Sequence, residues 1–247
     1  MLEEKLIDKD GVIPLYHQLK TLLKGQIEEE VWKVDEMIPS ERELSEQFEI
    51  SRMTVRHAIN DLVNEGILYR KRGMGTFVAK PKINQGLTKL SNFTSDMEQR
   101  GLKPGAKVLH VKVIPATKKI AELLQIKEND NVVELFRLRL ANDEPMALER
   151  SFLPLEKVAP ILTGSLENKS LYKELREKCN LNLALAKQSI EISYATQAED
   201  AKLLDIEINT PVLLIERRTF TDTDMPVEYV QSLYRADRYK FSIEMKV

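Results

Sequence analysis

Two helix-start signals follow one another in residues 39–68, PSERELSEQFEISRMTVRHAINDLVNEGIL, and no other stretch of the chain restricts the fold as much. Ser40 followed by Glu43 is a capping box, in which the two side chains close on the free backbone donors of a first helical turn. Leu44 and Phe48 then share a face one turn apart. Glu49-Ile50-Ser51 breaks the pattern, and Ser51 is placed to cap a second helix. Within it Val55, Ala58, Ile59 and Leu62 follow the i, i+3, i+4, i+7 spacing of a buried stripe. Gly66 is a natural stop, because helices often end in a left-handed turn that glycine tolerates.

Arg52, Arg56 and Asn60 are spaced by four on the face opposite that stripe, with Thr54 in the same first turn. A lone amphipathic helix with solvated arginines fits this spacing equally well. The next residues shift the balance. Tyr69-Arg70-Lys71-Arg72 runs into Gly73-Met74-Gly75 and then Thr76-Phe77-Val78, so two strand-like flanks enclose a tight glycine turn. Arg70, Lys71 and Arg72 suit phosphates, and a small tip at Gly73 and Gly75 suits close approach to a minor groove. Two helices followed by a basic hairpin describe a winged helix-turn-helix. Arginines near the start of its second helix can reach guanine edges in the major groove.

Residues 10–80 resemble the N-terminal domain of the GntR family of bacterial transcription regulators. The matching pieces are Pro14-Leu15-Tyr16, PSERELSEQF, SRMTVRHAI and the wing GMGTFV. The resemblance implies operator contacts from Arg42, Arg52 and Arg56, and a minor-groove glycine at Gly73 or Gly75.

Net charge is −2, which does not advertise a nucleic-acid binder, but the distribution matters more than the sum. Residues 1–50 hold 6 Lys/Arg against 13 Asp/Glu, whereas residues 51–80 hold 6 against 2. The second helix and wing are thus the basic part of an acidic chain. A hydrophobic content of 43% with 31% charged residues is ordinary for a globular protein. No apolar run approaches the roughly 20 residues of a membrane helix. The polar start MLEEKLIDKDG does not read as a secretory signal. The single cysteine, Cys179, excludes an intramolecular disulfide and suits a reducing cytoplasm.

Length allows two domains. Leu15, Leu19, Leu22, Leu23 and Ile27 form the stripe of a first helix after Pro14, and Trp32 reads as a core or hinge aromatic. These belong to a winged helix-turn-helix domain over residues 1–78. Residues 79–86, AKPKINQG, read as a linker, and residues 87–247 as a second domain. There 107–115, 131–141, 144–153, 185–195, 211–220 and 226–236 read as strands, with short helical stretches between several of them. Asn142-Asp143 and Asp222–Asp224 mark turns, and Thr196 with Glu199 looks like a capping box for a helix to about Leu204. The fold class is α+β: a winged helix-turn-helix followed by a mostly antiparallel sheet with packed helices.

One hairpin of this second domain carries a candidate site. Alternation places Arg137 and Arg139 on one face, beside Val133 and Leu135. Two arginines on an apolar face call for an anionic partner. That partner is either a bound anion or an Asp/Glu of a neighbouring strand, and the spacing does not choose. Asn168–Tyr172 looks like a helix start, whose free amides attract phosphate, with Ser170 and Tyr172 as hydroxyl donors. Glu149, Glu228 and Tyr234 lie on facing strands, where salt-bridge partners are the plain alternative for both glutamates.

Residues 85–245 resemble the UTRA effector-binding domain of the HutC-type GntR branch, a fold similar to chorismate lyase. The resemblance rests on LSNFTSDMEQRG, RLRLANDEPMALERSFLP and PVEYVQSLYRADRYKF. It is strongest toward the N-acetylglucosamine-type repressors. That likeness implies that Arg137, Arg139, Ser170 and Tyr172 hold an effector phosphate. Phe93, Thr94, Ser95, Glu149, Glu228 and Tyr234 then line the sugar end.

The expectation is a cytoplasmic homodimeric repressor that binds a near-palindromic operator and responds to glucosamine-6-phosphate or N-acetylglucosamine-6-phosphate. The alternative is a regulator, repressing or activating, of another pathway with a different anionic metabolite. No cofactor is implied. An enzyme on this fold is disfavoured, because the sequence has no nucleophile signature or metal-ligand cluster. His17, His57 and His110 are dispersed.

Overall fold

The computed structural model describes residues 7–87 and 92–245. The chain divides after Lys82 into two compact units.

In the first unit α1 (Leu15–Glu28) begins directly after Pro14, which holds the N-cap position. α2 (Glu41–Phe48) starts with the complete capping box. Ser40 Oγ accepts from the Glu43 amide at 3.2 Å, and the Glu43 carboxylate accepts from the Ser40 amide at 2.8 Å. Glu49, in the left-handed region, ends α2 and turns the chain. Ser51 caps α3 (Arg52–Asn64), and Gly66 ends it at φ +71°. Leu19, Leu23, Leu44, Val55, Ala58, Ile59 and Leu62 form one buried cluster with Trp32 and Leu68. The stripe read from α3 is therefore its core face, and Trp32 is a core residue.

The wing is β1 (Leu68–Lys71) paired with β2 (Gly75–Val78). Residues 35–38 run beside β2, joined by the Ile38 amide to Thr76 carbonyl bond at 3.0 Å. Gly75 has φ +134°, where a side chain is strained, and a Cβ there would meet the Met37 sulfur at 2.9 Å and have to displace it. Removing half of the α2 cap has a defined expectation. Ser40→Ala should lower the stability of this unit by about 0.5–2 kcal/mol, read from urea unfolding curves; an unchanged midpoint would show that the box does not hold the helix.

The second unit is built on a six-stranded antiparallel sheet, containing β4 (Pro104–Pro115), β5 (Asn131–Ala141), β6 (Glu144–Pro154), β7 (Leu183–Tyr194), β8 (Pro211–Thr221) and β9 (Pro226–Arg235). Their spatial order is β4-β5-β6-β9-β8-β7. Asn142 and Asp143 both have positive φ, as a two-residue hairpin turn between twisted strands needs. On one face Val133, Leu135 and Leu153 pack against Leu171 and Leu175 of α7 (Leu171–Cys179). On the other, α5 (Lys118–Leu124) and α8 (Ala198–Leu204) cover Val132, Phe152, Leu148 and Val212. The half-buried Cys179 ends α7 and packs with the first of these groups.

Two local readings are corrected. α8 is preceded by Gln197 without a side-chain cap, so the Thr196–Glu199 box is not formed. The Thr196 amide instead turns back to the Tyr194 carbonyl at 2.9 Å, which keeps Thr196 in the strand exit. Within the stretch read as a linker, Ile83–Gly86 form a strand, β3, parallel to β10 (Tyr239–Ser242). These strands have four residues each, too few for alternation to stand out.

Candidate functional site

The first unit offers an exposed cationic face. Arg42 and Arg52 are exposed, and Arg52 has no ion pair among the described residues. Glu41, at the start of α2, accepts from Arg56 Nε at 2.9 Å and from Arg70 Nη2 at 3.2 Å. One carboxylate thus ties the second helix to the wing and fixes where two arginines point. Thr54 belongs to the α3 cap, with its hydroxyl 2.9 Å from Ser51 Oγ. Lys71 lies 5.6 and 5.1 Å from the rings of Tyr69 and Phe77. Arg72 and Gly73 are exposed at the tip. Sequence reasoning missed Met53, an exposed apolar side chain that lines a shallow groove with Tyr16, Arg56, His57 and Asn60. His57 stacks on Tyr16 with centroids 4.1 Å apart.

The second unit contains a pocket with about 710 Å³ of empty space, part of it open to solvent. Its floor is one face of the sheet. In register, Arg137 stands opposite Glu149, Glu149 opposite Ser232, and Ser232 opposite Ile215. Its walls are α4 (Phe93–Gln99), the start of α7, and residues of β3 and β10.

Arg137 and Arg139 are buried side by side, and both reach the same Glu149 oxygen, at 3.0 and 3.6 Å. Arg137 also donates to the Lys169 carbonyl at 3.3 Å, and Arg139 to Thr94 Oγ1 at 3.1 Å. The Arg139 guanidinium lies 4.5 Å from the centre of the Phe93 ring. Among the described residues a single carboxylate pairs with both guanidinium groups, and the Nε of each arginine is buried without a partner. Burial, reinforced by Arg139, lowers the pKa of Arg137; it stays charged nonetheless. Of the two anion sources weighed from the sequence, the acidic strand neighbour is present. A strand neighbour supplies one carboxylate, and donor capacity is left over.

Ser170 caps α7 by accepting from the Lys173 amide at 3.4 Å, which leaves its own O–H to donate. Tyr172 shares a hydrogen bond of 2.9 Å with Thr219. Glu228 accepts from Ser151 at 2.9 Å and Thr219 at 3.1 Å. Burial raises the Glu228 carboxyl above the usual range, with nearby Glu149 adding to the effect. Burial likewise raises the phenols of Tyr172 and Tyr234, so both remain protonated donors.

Of the residues expected around the effector, Phe93, Thr94, Arg137, Arg139, Glu149, Ser170, Tyr172, Glu228 and Tyr234 line this pocket. Ser95 does not: its amide and hydroxyl both turn to Asn92, at 3.1 and 3.0 Å, as part of the α4 cap. Missed residues include Gln85, Asp96, Arg217, Tyr239 and Phe241. Arg217 was legible, since alternation along β8 sets it between Ile215 and Thr219 on the floor.

Comparisons with known proteins agree with both halves. The UTRA domain model matches residues 99–240, and the model of bacterial regulatory proteins, gntR family, matches residues 15–78. The chain belongs to the GntR family of transcription regulators. It is 43% identical over 235 residues to the HTH-type transcriptional repressor NagR of Bacillus subtilis (strain 168), covering 95% of this chain and 96% of that one. It is 31% identical over 233 residues to the mannosyl-D-glycerate transport/metabolism system repressor MngR of Escherichia coli (strain K12), covering 94% and 96%. The crystal structure of PhnF from Mycobacterium smegmatis superposes with a TM-score of 0.67 at 28% identity, covering 94% of this chain and 99% of that one. This GntR-family regulator is a DNA-binding protein with an effector domain, and its relatives are regulators, not enzymes. No helix among its described residues is long and apolar enough to cross a membrane.

Proposed function

We propose that this regulator is a homodimeric repressor that releases a near-palindromic operator when an amino-sugar 6-phosphate, glucosamine-6-phosphate or N-acetylglucosamine-6-phosphate, fills the pocket of the second unit. The observation that carries the reading is the pair Arg137 and Arg139, buried with unpartnered Nε groups over a single shared carboxylate. Planar guanidinium groups match phosphate oxygens two at a time. Ser170 and the first amides of α7 stand beside them, where an anion is favoured. Glu149, Glu228 and Tyr234 offer acceptors and donors for sugar hydroxyls. The NagR likeness supports repression, and the relative named for mannosyl-D-glycerate supports sugar chemistry. That relative favours, as a second reading, another anionic sugar derivative.

The effector shifts the operator equilibrium only by its difference in affinity for the two states. A coupling of about 1–3 kcal/mol corresponds to a 5–150-fold change in operator affinity. The segment at Pro81 and the residues around Phe93 are the proposed moving parts. Fluorescence anisotropy on a labelled operator, with each sugar phosphate and with unphosphorylated N-acetylglucosamine, tests this. The phosphorylated sugars should weaken binding and the unphosphorylated one should not. Equal operator affinity under all conditions would remove the effector assignment.

On the DNA side, Arg42, Arg52, Thr54, Arg56 and the wing residues Arg70 to Gly73 and Gly75 form the proposed contact set. Arg56→Ala should cost about 1–3 kcal/mol on the operator and relax preference at one base pair. Lys71→Ala should weaken all sequences alike and reduce the salt slope by about one unit. Equal losses on operator and random DNA for Arg56→Ala would argue against base reading.

A further inference from the structure

Tyr239 is buried in the pocket wall at 2% exposure, and its hydroxyl has no hydrogen-bond partner among the described residues. It stands on β10, edge-on to Tyr234 at 4.8 Å between ring centres and stacked with Phe241 at 6.3 Å. Ile83, Phe93, Met97 and Met146 pack around the ring. The apolar body of the residue is thus fully engaged while its one polar atom is left unsatisfied. A buried hydroxyl without a partner is destabilising, and folded proteins rarely keep one unless something else completes it. Of the polar side chains near this atom, Asp96, Glu149 and Tyr234 line the same pocket as Tyr239 itself.

We propose that Tyr239 is a further effector-binding residue, whose hydroxyl donates a hydrogen bond to a neutral oxygen of the bound sugar. The proposal rests on the pocket being the effector site. A neutral oxygen is the matching chemistry for two reasons. The nearby Arg137 and Arg139 already supply charged donors for the anionic end. A protonated phenol held among Tyr234, Phe241 and apolar side chains is a weak match for a full charge. A sugar hydroxyl and an N-acetyl carbonyl share this chemistry, and the choice of ligand separates them.

The test is Tyr239→Phe in the full-length protein, which removes one oxygen and keeps the ring. Two readouts are needed: calorimetric titration with glucosamine-6-phosphate and with N-acetylglucosamine-6-phosphate, and thermal unfolding without ligand. The effector affinity should fall about 3- to 10-fold, as expected for one neutral hydrogen bond. The ligand-free melting temperature should rise or stay level, because an unsatisfied hydroxyl has been removed. A purely structural tyrosine would show the opposite pattern. A loss with both ligands assigns the contact to a sugar hydroxyl, and a loss with the N-acetyl ligand alone assigns it to the acetyl carbonyl. Unchanged affinity, or a lowered ligand-free melting temperature, overturns the assignment of Tyr239 while leaving the effector site standing. Failure of the unaltered protein to bind either sugar phosphate overturns both.

Discussion

Exchange of Arg137 for methionine is expected to leave operator binding near that of the unaltered protein and to abolish its response to sugar phosphates. Arg137 is buried, donates to Glu149 and to the Lys169 carbonyl, and retains an unpartnered Nε. Removing one partner of a desolvated, hydrogen-bonded charge pair at an interface costs about 2–5 kcal/mol of binding, roughly a 30-fold to several-thousand-fold loss of effector affinity. The fold should tolerate the change better than the ligand does. Glu149 keeps its contact with Arg139 at 3.6 Å, so no carboxylate is stranded, and methionine fills irregular space in a core. Calorimetry with glucosamine-6-phosphate gives the affinity, and a thermal melt separates lost binding from lost folding. Undiminished effector affinity in a folded Arg137→Met protein would place the phosphate elsewhere.

The second large effect concerns the head. Leu62 is fully buried on α3, within the cluster that holds α1, α2 and α3 together. Leu62→Ala deletes those buried methyl groups and leaves a cavity, at a cost of about 2–5 kcal/mol. For a unit of this size each kcal/mol lowers the melting temperature by about 4–8 °C. Operator binding should therefore disappear on warming well before effector binding does, because the pocket residues all belong to the other compact unit. Differential scanning calorimetry should show one transition displaced downward and the other unmoved. A common downward shift of both would show that the two units unfold as one.

Some of this was legible in the residues and some was not, for physical reasons. Ser40 with Glu43, Ser51, and the Val55–Leu62 stripe act locally, so the head could be read from a few adjacent side chains. The long strands were legible as apolar and β-branched runs bounded by turn residues. Helices cover both faces of the sheet, so β5 and β6 are buried along most of their length rather than on alternate residues. Thr196 and Glu199 show the limit of local reading: the spacing of a capping box was present, but the Thr196 backbone was already committed to Tyr194. Ser95 shows another, since its polar groups satisfy the α4 start and never reach the pocket. Tyr239 and Gln85 were invisible for a different reason. They enter the pocket through β3 and β10, which are distant in sequence and have no pattern of their own. Glu149 carried two open readings, and its position opposite Arg137 shows why: it is both a salt-bridge partner and part of the pocket floor.

The central claim is that pocket and DNA-reading face are thermodynamically linked, and linkage must be reciprocal. The direct measurement is the affinity for glucosamine-6-phosphate with and without saturating operator, set beside operator affinity with and without saturating sugar phosphate. The account predicts that each ligand weakens the other by the same factor. Sugar-phosphate affinity that is identical with and without operator would contradict it.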